Sequence, residues 1–420
     1  MISQPGITRQ ALAGLLGTCD DGQDLDVAID RTTQRTRSEL PLRWSIGLRD
    51  DCHLDMELQL RATSDLHQHV QRMLLANLID ADRRSAGTGV FYSRDRNHYA
   101  RVRSYAPPFY RYKVVLAAVE VLESAGLIEH RRTKASPRAD LRSCIWPTER
   151  LASALHATGP NHLCLVPPPP IVLRDEHKHP IALPNSAPVR RLAKDVNEHN
   201  AFLDQVGICV EHPDVQVDAW GNILCRGQCH DGRRTRYFRV FNRNMQLGGR
   251  WFGPYWQNLP SDVRAALTID GEPVVEEDFR ACHLRLLSAL HGIVIEADAG
   301  DPFALPGHHR ADLKLAFNVL INARSEDQAR LALMGELRSD YGSATTAQVG
   351  SLIMAIQTAF PNFAASWFTG IGRRLQNIDS DICARVQRGL RHAGIPCLSV
   401  HDSFIVPASN HEELRSTMDD

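Results

Sequence analysis

Val275-Glu276-Glu277-Asp278-Phe279 and Leu398-Ser399-Val400-His401-Asp402-Ser403-Phe404-Ile405-Val406 each set an aspartate within or at the end of an apolar, strand-like run. Paired strands lie about 4.8 Å apart, so one sheet can hold Asp278 and Asp402 side by side against divalent metal. Alternation puts Glu276 on the Asp278 face and Glu277 on the other, and both are read as local charge. Between the two runs, Arg310-Ala-Asp-Leu-Lys314-Leu-Ala-Phe-Asn318-Val-Leu-Ile-Asn322 has the spacing of a helix. Arg310, Lys314, Asn318 and Asn322 advance about 40° per step and form one drifting stripe. Leu313, Phe317 and Leu320 cluster on a different side as core. Paired aspartates for metal and an Arg/Lys stripe for a triphosphate are the groups that nucleotide addition needs.

Composition sets the frame. At 420 residues and 46.9 kDa the chain is expected to form two or three domains. A net charge of −1 gives no global sign of a polyanion partner, so any such contact must use a local basic surface. No run of eighteen apolar residues occurs, and no membrane contact is expected. The first residues lack the charged start and apolar stretch of a secretory signal. The ten cysteines are scattered singly, which points to a reducing cytoplasm rather than a disulfide framework. Cys225, Cys229 and His230 have the spacing of half a zinc site, but no second pair follows; buried or turn cysteines are the favoured reading.

Along the chain, residues 1–60 are weakly patterned and are expected to be weakly structured. Residues 61–160 contain a helix pattern from Asp65 to Leu78 and a stronger one from Tyr110, placed to end at Gly126. Two short strands, Ile128–Arg132 and Leu141–Trp146, follow around the basic loop Thr133–Arg138. Helix, turn and basic hairpin are the layout of a winged helix. Twelve Lys/Arg against six Asp/Glu between Phe91 and Arg150 suit phosphate contact with DNA. The prolines of residues 161–188 mark an extended linker. Residues 189–420 form the last domain, with helix signals at Val189–Leu203 and strand-like pieces at Ile223–Cys225 and Tyr237–Phe241.

Several segments of that last domain, taken in order, carry a resemblance. Gly248-Gly249-Arg250 through Gln257-Asn258-Leu259-Pro260 is similar to the segment that family A DNA polymerases place shortly before their first catalytic aspartate. Asp278-Phe-Arg-Ala-Cys-His283-Leu-Arg285 resembles their motif A, and Arg310–Ala323 resembles motif B. Leu375-Gln376-Asn377-Ile378-Asp379-Ser380-Asp381-Ile382 resembles the helix opening Met-Gln-Gly-Thr-Ala-Ala-Asp-Ile. Val400-His401-Asp402-Ser403 resembles motif C in the version of single-subunit phage RNA polymerases.

The resemblance implies an α+β fold, a right-hand-type palm with reduced fingers and thumb. It implies metal ligation by Asp278 and Asp402, with two Mg²⁺ ions and Mn²⁺ as a substitute. Lys314 would support the leaving phosphate, joined in nucleotide binding by Arg310, Asn318, Asn322 and His283. Arg250, Gln257, Gln376, His401 and Arg285 match positions that approach primer or template. The partners implied are DNA and nucleoside triphosphates. Departures are specific: His283 stands where DNA polymerases carry glutamate, and Asn322 where both groups carry tyrosine. Sugar choice is therefore not inherited. A primase or RNA polymerase starting chains de novo, and an inactive winged-helix binding factor, are the alternatives.

Overall fold

The computed structural model describes residues 39–419 except 85–86, 104–105, 134–141, 159–161, 167, 219–220, 296–299 and 342–344. The weakly patterned stretch up to residue 38 and most of the basic loop, 134–138, lie outside the described residues. The chain is mixed in helix and strand and divides into two compact units. One comprises residues 24–193 and 213–238; the other includes 194–212 and 239–420.

In the first unit, the Asp65–Arg84 helix buries Val70, Met73, Leu74, Leu78 and Ile79, and the Tyr112–Ser124 helix buries Val115, Ala118, Val119 and Leu122. These two faces share one apolar core. The second helix stops where Gly126 takes φ +65°, and the Leu127 amide donates back to the Leu122 carbonyl at 3.0 Å. Glycine tolerates that left-handed geometry, and the returning bond closes the helix end. Strands Ile128–Arg131 and Ser143–Pro147 then pair antiparallel, with Ile128 opposite Pro147. The helix–turn–hairpin order of the sequence is present, widened by strands Gly89–Tyr92 and Glu39–Pro41 into a four-stranded sheet.

Three expectations need correction here. Residues 39–60 are structured, with Leu42, Trp44, Ile46 and Leu48 all buried. The proline-rich segment 161–188 is no open linker: it carries strands Leu163–Leu165, Ile171–Arg174 and Pro180–Ile181, and the middle strand is buried along its length. Pro168, Pro169, Pro170 and Pro184 lie outside these strands and Pro180 opens the last one, positions where a missing amide donor is tolerated. Finally, residues 213–238 return to the first unit, where Arg233 pairs with Asp231 at 2.8 Å and reaches Asp80 at 3.5 Å. Such long-range ion pairs leave no local trace in a sequence.

Much of the basic excess of the first unit is engaged locally. Arg131 pairs with Glu39 at 2.8 Å and lies 5.0 Å over Trp146; Arg142 lies 4.8 Å over Phe91; Arg132 pairs with Glu123.

The second unit is built on a five-stranded antiparallel sheet. Its strands are β1 (Ile208–Val210), β3 (Leu267–Ile269), β4 (Glu272–Asp278), β5 (Leu398–Val400) and β6 (Ser403–Pro407), in the order β5-β6-β4-β3-β1. A separate long strand, β2 (Asn244–Phe252), packs along helix α3 (Gly372–His392). Helices α1 (Cys282–Leu290) and α2 (Arg310–Asn322) contribute Leu284, Leu287, Leu313, Phe317 and Leu320 to a second apolar core that also takes Leu375 from α3.

Asp195 anchors a further contact within this unit. It accepts from Arg388 at 3.0 Å and from Arg391 at 3.0 Å. Burial alone raises its pKa, but hydrogen bonds from Arg388 and Arg391 outweigh burial and hold it below the ordinary carboxylate value. A folded-state pKa below the unfolded one means that the contribution is complete above about pH 4 and fades as pH falls through the lower, folded value. Asp195→Asn is therefore expected to destabilise the unit at pH 7 and to flatten the acid limb of its stability profile. Chemical denaturation between pH 3 and 7 measures this; an acid limb identical to that of the parent contradicts the assignment.

Candidate active site

Strand register brings the two aspartates together. In the β4–β6 ladder Asp278 lies opposite Ser403 and Glu276 opposite Ile405, while Val400 of β5 faces Ser403 of β6. The β5–β6 connection is thus the two residues His401 and Asp402. The Phe279 amide donates to the Asp402 carbonyl at 3.1 Å, so the backbones carrying the two acids are directly hydrogen-bonded. Asp278 is exposed and Asp402 half-buried.

Backbone strain flanks the pair. His401 holds φ +62° in the turn, and Ala281, just before α1, holds φ +51°. Left-handed geometry costs a non-glycine residue roughly 1–2 kcal/mol, and such residues concentrate at functional positions. His401 also packs edge-on against Phe252, with centroids 5.8 Å apart. Burial, then the charge of Arg250 and the neighbouring His283, push its pKa down to about 3, so the ring is neutral.

Glu276 and Glu277 behave as local charge. Glu276 accepts from Arg264 at 2.8 Å and from the Ser403 hydroxyl at 2.6 Å, and Glu277 meets His411 at 2.6 Å.

The third acid at this place, Asp379 of α3, was not among the sequence candidates. It is 3 % exposed, accepts from Arg250 Nε at 3.2 Å and takes the Cys282 thiol at 3.8 Å. Burial raises its pKa, Arg250 lowers it, and the negative charge of Asp402 raises it again, to about 6. Its position was legible: it follows Gln376 by three residues on the buried face of α3, where an acid is rare unless partnered. Arg250 continues to His283, whose Nε2 lies 3.1 Å from Arg250 Nη2. Burial first, then Arg250 and Lys314, bring the His283 pKa down to about 3.

The α2 stripe enters the protein as it advances. Arg310 and Lys314 are exposed, Asn318 is half-buried and Asn322 is buried. Arg310 pairs with Asp301. Lys314 lies near enough to act electrostatically on His283.

Three expected contact residues bond within the chain, and a fourth, Gln376, is buried. Asn322 donates to the Asn318 carbonyl at 2.8 Å, and a Cβ on Gly372 would approach its Oδ1 to 2.3 Å. It therefore packs α2 against α3. Gln257 is buried and donates its amide to the Trp251 and Ser399 carbonyls at 3.0 and 3.1 Å, so it ties the chain after β2 to β5. Arg285 bonds the Arg280 and Ile295 carbonyls at 3.2 and 3.3 Å, clamping the ends of α1. Gln376 is buried on the same α3 face as Asp379. Such burial and bonding are invisible in motif spacing alone.

The pair of Cys225 and Cys229 with His230 does not converge. Cys225 lies opposite Gln228, Leu224 opposite Cys229 and Ile223 opposite His230, which puts Cys229 on the other face of the hairpin from Cys225 and His230. All described cysteines are free thiols. No described helix is long and apolar enough to cross a membrane.

Comparison with known protein families finds none whose pattern matches this chain, and no curated protein matches it either.

Proposed function

We propose that the chain is a Mg²⁺-dependent, template-directed nucleotidyltransferase of the DNA-polymerase type, adding nucleotides to a 3′-hydroxyl. On this reading the second unit is a polymerase palm, and the first carries a winged-helix module that meets DNA. The observation that supports it most is the register of β4 and β6, with Asp278 opposite Ser403 and the Asp402 carbonyl bonded to Phe279.

The donor set fits magnesium. Among the described residues no three His, Cys, Asp or Glu gather into a closed metal cage. Mg²⁺ is commonly held by one or two carboxylates together with waters and substrate phosphates, which is what Asp278 and Asp402 offer. When bound, the ions acidify the attacking hydroxyl and neutralise charge on the departing pyrophosphate.

The remaining work falls to positioning and charge. Lys314, exposed on α2, offers its ammonium group to a triphosphate as a point charge. Arg250 is fixed between Asp379 and His283 at the edge of the acid pair, where a primer terminus would lie. His283 and His401 stay neutral and add no repulsion toward the metal ions.

A labelled primer–template incubated with deoxynucleotides, and in parallel with ribonucleotides, tests the reading. Template-directed extension that needs Mg²⁺ is the expected result. A bare single-stranded template yielding product would move the assignment to a primase. Absence of incorporation from every substrate set removes it.

A further inference from the structure

We propose that Asp379 is a positioning residue of this site, acting through Arg250 to hold His283 in the tautomer that carries its proton on Nδ1. The proposal deepens the polymerase reading and rests on it only for its kinetic part.

The geometry runs across three elements. Asp379 on α3 accepts from Arg250 Nε at 3.2 Å, and Arg250 on β2 places Nη2 3.1 Å from His283 Nε2 on α1. A guanidinium has donors only. His283 Nε2 must therefore supply a lone pair, and a neutral imidazole then has its proton on Nδ1. The second oxygen of Asp379 takes the Cys282 thiol, from the residue preceding His283. Asp379 thus grips both the arginine that orients the ring and the start of the helix that bears it. A carboxylate 3 % exposed is costly unless partnered. Helix packing alone does not call for a charge there: Ser380, Cys383 and Val386 complete the same buried face without any.

Under this assignment Asp379 touches no substrate. Its loss acts by releasing Arg250, after which the His283 proton distributes over both nitrogens.

Two measurements on the full chain decide the matter. ¹⁵N-histidine spectra, with the His283 resonance identified by its loss in His283→Asn, are expected to show protonated Nδ1 and bare Nε2. In Asp379→Asn the resonances shift toward a mixture. In primer extension, Asp379→Asn and Arg250→Gln are each expected to lower kcat by up to roughly 100-fold, the scale of a misplaced positioning group. The double variant is expected to be no worse than Arg250→Gln alone, because Asp379 acts through that arginine. An unchanged His283 spectrum in Asp379→Asn, or kcat losses that multiply, overturns the proposal. Should Asp379→Asn not fold, Arg250→Lys serves in its place, since an ammonium cannot span both partners as the planar guanidinium does; retained Nδ1 protonation in that variant is equally fatal. The spectra need no catalysis, so a wild-type chain that incorporates nothing refutes the polymerase reading while the tautomer result stands by itself.

Discussion

Asp402→Asn is expected to lower nucleotide incorporation about a thousandfold or more while leaving the fold and DNA binding nearly intact. Asparagine keeps the size of the side chain but loses the charge that a metal ion needs. Loss of metal-based charge stabilisation amounts to several kcal/mol of barrier, and each 1.4 kcal/mol is tenfold in rate. The turn itself tolerates the change, because the Phe279 amide bonds the Asp402 backbone carbonyl and not its side chain. Asparagine also accepts turn geometry readily. The measurement is single-nucleotide addition at saturating substrate, beside a filter-binding assay with the same duplex. Synthesis at the parental rate would remove Asp402 from the metal-binding role and with it the present reading of the site. Asp278→Asn, on the neighbouring strand, is expected to behave alike.

Arg239→Ala is expected to be the most damaging single change to stability in the second unit, by roughly 2–5 kcal/mol, the range for truncating a large buried side chain. The Arg239 side chain is 1 % exposed. It donates to the Gly249 carbonyl at 2.7 Å, to the Ser380 hydroxyl at 2.8 Å and to Asp381 at 2.8 Å. Its guanidinium lies 5.2 Å from the Phe241 ring and 5.6 Å from that of Trp251. Alanine leaves a cavity between two aromatic rings and orphans a buried carbonyl. Gly249 offers no slack: it holds φ +92°, and a Cβ there would stand 2.7 Å from Phe241 and 2.9 Å from Ser380 Oγ. Because Arg250 follows directly on β2, the loss is expected to reach the site as well as the fold. Urea unfolding monitored by tryptophan fluorescence reports the stability. A midpoint within a fraction of a molar of the parent contradicts this account.

The two arginines divide the labour along α3. Arg239 fastens β2 to the helix through Ser380 and Asp381, and Arg250 joins the same pair of elements through the residue just before them, Asp379. Structural and site-directed charges therefore share one interface. A change meant for the site, such as Asp379→Asn, should be read together with a stability measurement for that reason.

Local patterns in the chain were enough for several elements. Helical spacing marked Tyr112–Ser124, and Gly126 marked its end; apolar, strand-like runs marked β4 and β6. Leu313, Phe317 and Leu320 were identifiable as core from periodicity, and all three are buried. These readings hold because residues a few positions apart share a face by backbone geometry alone. The same reasoning named Asp278 and Asp402 as acids at the ends of strands.

What lay beyond the sequence was everything set by contacts between distant residues. Which strand pairs with which, and in what register, put the strand end carrying Asp278 beside the turn carrying Asp402. The packing of α2 on α3 turned Asn322 and Gly372 into a seam, and burial against β2 made Asp379 the partner of Arg250. The prolines of 161–188 read as a linker because their effect on a strand depends on which edge they face, and that edge exists only once the sheet has formed. Sequence determines the side chains a segment can offer; tertiary structure decides which are left for a ligand, because a buried polar group bonds to whatever the fold brings within reach.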